Sequence, residues 1–133
     1  MSQENVEILD AMVAAFDRRD FDQAVRYIDP DLELNPGVLA PDHDAQLIGH
    51  RGWREFIRVA IEAWETVSVE PKERIETEDG RILSVDLWRL RKRDGIEIDR
   101  ELPTLFTFRD GLIARIDGFT DKAEALEAAG LSE

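Results

Sequence analysis

Cysteine is absent from these 133 residues, which excludes disulfides, thiolate metal sites and a cysteine nucleophile. Long apolar runs are missing too: none approaches the ~18 residues that a membrane-spanning helix needs. Positive charge is scarce. Seventeen Lys and Arg stand against thirty Asp and Glu, a net charge of −13. So acidic a chain repels phosphate backbones and acidic lipid, so no nucleic acid and no membrane is expected as a partner. The start, Met1-Ser2-Gln3-Glu4-Asn5, has neither the basic nor the apolar region of a signal peptide, and the expected location is cytoplasmic. No repeat, low-complexity tract or linker divides the chain, so residues 1–133 read as a single domain. The 43% hydrophobic content is spread evenly, enough for one core and too much for a disordered chain.

What is present is a sequence of clear periods. Val6, Leu9, Val13 and Phe16 fall at helical spacing, widened by Ile8 and Met12. Asp20 opens a second, short helix with Gln23 three residues on, as in a capping box, and Pro30 stops it. Leu32-Glu33-Leu34 reads as a short strand, and residues 38–49 as loop. Trp53, Phe56, Ile57, Ala60, Ile61 and Trp64 then make one broad helical face. Four strands follow, Val67 to Thr77, Ile82 to Arg91, Ile96 to Phe108 and Leu112 to Phe119. Between them stand Glu78-Asp79-Gly80, Arg93-Asp94-Gly95 and Arg109-Asp110-Gly111, each suited to a three-residue hairpin loop with a left-handed glycine. Thr120 or Asp121 caps a last helix, Lys122 to Ala129. Helices first, then a meander of strands, is an α+β order.

Charge selects the hairpin register. A three-residue loop at Arg93-Asp94-Gly95 sets Arg91 against Glu97 and Arg89 against Asp99, whereas a two-residue loop sets Arg89 against Arg100. Opposite charges across a ladder are favoured by a few tenths to ~1 kcal/mol per pair, so the first register wins. One face then carries Ser84, Asp86, Trp88 and Leu90 opposite Thr104, Leu102, Arg100 and Ile98, with Ile82 opposite Phe106. The same loop length at Arg109-Asp110-Gly111 adds Leu112, Ala114, Ile116 and Gly118 to that face. Pro103, Leu105 and Phe119 lie among charges on the other.

This order resembles the cone-shaped α+β barrels of the nuclear-transport-factor-2-like superfamily, and within it the SnoaL-like family. The residues that carry the likeness are Asp20-Phe21-Asp22, Tyr27-Ile28-Asp29-Pro30-Asp31, Gly49-His50-Arg51-Gly52 and Arg54-Glu55-Phe56. Towards the end, Phe106-Thr107-Phe108-Arg109-Asp110-Gly111 and Phe119-Thr120-Asp121-Lys122-Ala123-Glu124-Ala125-Leu126 do the same. The resemblance implies a strongly curved, mostly antiparallel sheet wrapped around the N-terminal helices. It also implies a conical pocket and a homodimer through the outer sheet face, on Pro103, Leu105 and Phe119. It does not decide function, because the fold hosts polyketide cyclases, steroid isomerases, epoxide hydrolases, dehydratases and proteins without chemistry. By local matching, the tyrosine and two aspartates of ketosteroid isomerases fall on Met12, Asn35 and Thr104, none of which can do that work.

Asp86 and Arg100 are the candidate catalytic pair, a carboxylate and a guanidinium on the inward face. Desolvation would raise the pKa of Asp86 and a guanidinium would lower it, a balance suited to a base that activates water. The alternative is a hydrogen-bonded couple that serves only the strand interior. The expected pocket lining is Trp88, Leu102, Thr104, Phe106 and Ile116, with Asn35. Trp53 and Trp64, at helical spacing, read as core, and Tyr27 as a further flat surface. His43 and His50 flank the loop at the expected cavity mouth, as proton shuttles or plain loop contacts. No His-x-x-x-His or carboxylate cluster suggests a metal, so the expected chemistry needs no cofactor. The reading is a pocket for a small, mostly apolar metabolite, with acid–base chemistry such as cyclisation, dehydration, isomerisation or hydrolysis. The alternative is a non-catalytic binding or dimerisation module.

Overall fold

The computed structural model describes residues 3–39 and 46–131. Helix α1 (Gln3–Asp17) buries Leu9, Met12, Ala15 and Phe16, the stripe its period requires. The Asp20 carboxylate accepts the Gln23 backbone N–H and starts α2 (Phe21–Ala24), which tightens into a 3₁₀ turn before β1 (Ile28–Asn35). A two-residue strand, β2 (Leu47–Ile48), lies where only loop was expected, because Leu47 and Ile48 pair with Leu34 and Glu33 of β1. Helix α3 (Gly49–Phe56) runs on as a π-helical turn over Ile57–Ile61, so the expected single long helix changes its winding halfway.

Strands β3 (Thr66–Glu76), β4 (Ile82–Arg91), β5 (Glu97–Arg109) and β6 (Leu112–Gly118) form the meander. Six strands make one curved, unclosed sheet in the order β2-β1-β6-β5-β4-β3. Only β1 against β6 is parallel. Across β4 and β5, Arg91 stands opposite Glu97, Arg89 opposite Asp99, and Asp86 opposite Leu102, the register that charge selects. Arg91 contacts both Glu97 at 3.5 Å and Asp99 at 2.9 Å.

The β5–β6 connection departs from expectation. Arg109 pairs with Leu112, leaving a two-residue turn in which Asp110 (φ 53°) and Gly111 (φ 77°) are both left-handed, as a type I′ hairpin demands. That shortening turns Ile113, not Leu112, towards the interior opposite Phe108. A bulge at Ala114 then restores the expected alternation, and Ile116 faces Phe106 while Gly118 faces Thr104.

Two apolar layers result. The main core packs α1, α3 and the π-helical turn against the inner sheet face, with Leu9, Phe16, Trp53, Phe56, Trp88 and Phe106 at its centre. On the outer face, α4 (Lys122–Ala128), capped by Asp121, lays Ala125 and Leu126 over Leu83 and Leu105, with Phe119 packed alongside. The face expected to pair with a second chain is therefore covered here by the chain's own last helix. Leu105 is only 3% exposed.

Candidate functional site

A cavity of about 70 Å³ opens between α1, the 3₁₀ turn Gly37–Leu39 and the inner faces of β4, β5 and β6. Trp88, Leu102, Thr104, Phe106 and Ile116 line it, on the face that strand parity gives them, and Asn35 lines it from the end of β1. Met12 also borders it, so the three positions matched to the ketosteroid isomerases converge on one space. Its half-buried borders are Val13, Asn35, Leu39, Thr104, Gly118 and Phe119, and the mouth lies among them. The rim is drawn tight where backbone crosses backbone. A Cβ on Gly37 would stand 2.9 Å from the Gly118 carbonyl oxygen, and one on Gly118 would stand 2.9 Å from that of Pro36. Glycine at both positions is what allows the crossing.

Asp86 is the one ionisable side chain among the described lining residues. It is 4% exposed. The Ser84 hydroxyl, two residues earlier on the same face, donates to its Oδ1 at 2.7 Å. Burial pushes the Asp86 carboxyl above its ordinary range, while the Ser84 hydrogen bond and the Arg74 guanidinium pull it partly back. Arg74 comes from β3, pairs with Ser84 in register, and bonds both the Ser84 Oγ at 3.3 Å and the Asp10 carboxylate.

Arg100 does not occupy the place expected of it. It pairs with Trp88 across the ladder but is exposed near the open end of β5, and it does not line the cavity. The cation beside Asp86 is Arg74, which sequence reasoning passed over. The cause is a bulge between Pro71 and Glu73, which moves Arg74 onto the inner face against simple alternation. The one local signal is Pro71, since a proline inside a strand marks either an edge strand or a bulge, and here it marks both.

The remaining candidates separate cleanly. His50 donates its Nε2–H to the Ile28 carbonyl at 2.8 Å, a contact that ties α3 to β1. His43 lies outside the described residues. Trp64 stacks beneath Lys92, 5.0 Å from ring centroid to Nζ, and Tyr27 accepts from Gln23; neither lines the cavity. Trp53 is both core and cavity wall. It meets Phe16 edge-on at 6.1 Å, and Phe16 meets Trp88 at 5.7 Å. The Asn35 amide nitrogen is committed to Asp117 at 2.6 Å, and Arg115 holds that carboxylate from its other oxygen at 2.8 Å. Among the described residues no group of three His, Asp or Glu could hold a metal ion.

Many solved structures share this architecture, among them the following three. TerC, co-crystallised with polyporic acid, is 23% identical, with a TM-score of 0.77 over 96% of this chain and 98% of its own. An NTF2-like protein of unknown function from Burkholderia pseudomallei is also 23% identical, with a TM-score of 0.77 over 97% and 98%. A Mycobacterium tuberculosis protein in complex with estradiol-17β-hemisuccinate is 14% identical, with a TM-score of 0.76 over 89% and 94%. At such identities the likeness is one of fold. No curated protein matches the sequence. The SnoaL-like domain, however, matches residues 9–116, most of the sequence, and the chain belongs to the SnoaL-like family.

Proposed function

We propose that this protein binds a small, mostly apolar metabolite in its cone and moves a proton to or from it through Asp86. The observation that carries the reading is a single buried carboxyl, its pKa raised by burial, in a cavity walled mostly by apolar side chains. Such a group serves as a base or an acid near neutral pH without a metal. Cyclisation, dehydration, isomerisation and hydrolysis all turn on that transfer. Ser84 and Arg74 act as positioning residues that hold the carboxyl in place. Arg100 takes no part in the step.

Support comes also from the fold neighbours, of which one was crystallised with polyporic acid and another holds a steroid ester. The reading includes a homodimer through the part of the outer sheet face that α4 leaves uncovered.

A second reading, binding without catalysis, is favoured by one observation. No second titratable group lines the cavity among the described residues, so a reaction needing a separate acid and base has only Asp86 and solvent.

Asp86→Asn separates the two. The change keeps size and the acceptor for Ser84 but cannot take up a proton. Turnover of the metabolite recovered with the protein should fall ~10²–10⁴-fold while its affinity holds. Unchanged turnover with unchanged affinity would remove Asp86 from the chemistry, whereas a metabolite bound equally by both proteins and turned over by neither would leave the binding reading.

A further inference from the structure

We infer that the indole N–H groups of Trp88 and Trp53 are the hydrogen-bond donors that seat the ligand, and that they select a neutral molecule with an oxygen acceptor at its apolar end. The inference rests on the apolar-pocket reading above and adds the polar feature by which that pocket tells ligands apart.

Both indoles are more than nine-tenths buried, Trp53 at 3% and Trp88 at 8% exposure. Neither Nε1 has a hydrogen-bond partner among the described residues. Native proteins rarely leave a buried donor unpaired. Both flank the Phe16 ring and both border the same space. An indole N–H only donates, so whatever satisfies it must accept. Leu102, Phe106 and Ile116 offer a body of carbon no polar return, and besides Asp86 and the indoles the polar side chains among the described lining residues are Asn35 and Thr104.

Charge narrows the class to neutral acceptors. Asp86 stands two residues before Trp88 on the same face, and the chain carries thirteen net negative charges. Arg74 bonds Ser84 and Asp10 through two of its nitrogens while its Nη2 is buried without a partner among the described residues, and neither Arg74 nor Arg100 lines the cavity. A carboxylate ligand would meet a carboxyl and no cation among the described lining residues. A carbonyl, hydroxyl or ether oxygen accepts from the two indoles once the ligand parts the side chains that close over both Nε1 atoms. The cavity volume of about 70 Å³ is under half the ~150 Å³ of an apolar cavity that admits benzene. Its mouth is open, so the ligand seats its oxygen-bearing end inside and leaves its remainder at Leu39 and Phe119.

The test uses three probes that differ at one group: acetophenone, α-methylstyrene with a methylene in place of the oxygen, and benzoate. Each is titrated into the whole protein and followed by proton–nitrogen spectra of the three indoles and proton–carbon spectra of the Leu102 and Ile116 methyls. Acetophenone should shift the Trp88 and Trp53 indole signals, leave Trp64 in place, and bind roughly 3- to 10-fold tighter than α-methylstyrene, the range of one or two neutral hydrogen bonds. Benzoate should bind more weakly than acetophenone. Trp88→Phe should bring the acetophenone preference close to one; if that variant does not fold, the spectra of the unaltered protein decide alone. Equal affinity of the two neutral probes, with both methyls shifted and the indoles following neither, overturns the donor assignment and leaves the apolar pocket standing. Benzoate as the tightest probe overturns the neutral class. If no probe moves the methyls, the pocket reading fails and this inference falls with it.

Discussion

Two buried aspartates show how residue-scale surroundings set opposite pH dependences. Asp29 accepts the Asp31 backbone N–H at 2.7 Å and an ion pair from Arg109 at 3.2 Å, and these hold its carboxyl below the ordinary range. Its contribution to stability is present above the ordinary pKa of 3.8 and is lost as pH falls through the lowered folded value. Asp86 runs the other way. Burial raises its folded pKa, so the folded state binds more protons than the unfolded chain at mildly acidic pH. Its contribution is full below the ordinary 3.8 and is lost as pH rises through the raised folded value. Asp86→Asn removes that loss while keeping an acceptor for Ser84. The variant should therefore gain on the parent from about pH 4 towards pH 7 in urea unfolding, with the largest advantage at neutrality. A parent that outperforms the variant increasingly as pH rises would mean that Asp86 is a stabilised anion, and the base assignment would fail with it.

Elements were legible where the signal is local. The Asp20 and Asp121 caps, the alternation of β4 and β5 and the charge pairs of their hairpin depend on residues close in sequence, and the structure repeats them. Pairing between distant segments left no such mark. The parallel contact of β1 with β6 joins residues some eighty positions apart, and β2 is only two residues long. The candidate site was legible to the same degree. Alternation placed Asp86, Trp88, Leu102, Thr104 and Phe106 on one wall, while a bulge hid Arg74 and strand length carried Arg100 out of the cavity. The three Asp-Gly turns make the same point, because one pattern closes two different loop lengths. Packing at α3 gives the prediction at this scale. A Cβ on Gly52 would stand 2.6 Å from the Leu47 carbonyl carbon, which belongs to backbone and cannot swing aside. Gly52→Ala should cost roughly 1–3 kcal/mol by overpacking. Differential scanning calorimetry should then show a melting temperature lower by roughly 4–12 °C. An unchanged melting temperature would mean that α3 is free to lift from β2.

For the whole molecule, charge and the last helix together decide how copies can meet. Leu83, Leu105 and Phe119 are occupied by α4, so an apolar two-fold contact on those residues would require the helix to leave. The outer face beyond α4 carries Glu70 on β3, Arg89 and Arg91 on β4, and Asp99 and Glu101 on β5, so its sign alternates from strand to strand. Within one chain these pairs, Arg89 with Glu70 at 3.2 Å among them, are substantially exposed and contribute little to its stability. They can exchange to a partner at small cost. A two-fold arrangement sets each Arg89 against the Asp99 or Glu101 of the other copy, and self-complementarity is what such symmetry requires. Against this stands the repulsion of two chains of −13 each. That repulsion acts over the whole surface and is screened beyond about 10 Å at 0.1 M salt, whereas pairs in contact are screened less. Association should therefore strengthen from very low salt to physiological salt. Light scattering at micromolar concentration should return twice the monomer mass near 0.15 M salt and a mass nearer one chain at 0.01 M. Arg89→Glu, which turns the pair into a like-charge contact, should return the monomer mass at both. A monomer mass for the unaltered chain at 0.15 M would leave α4 as the sole cover of the outer face and the cone as the work of one chain.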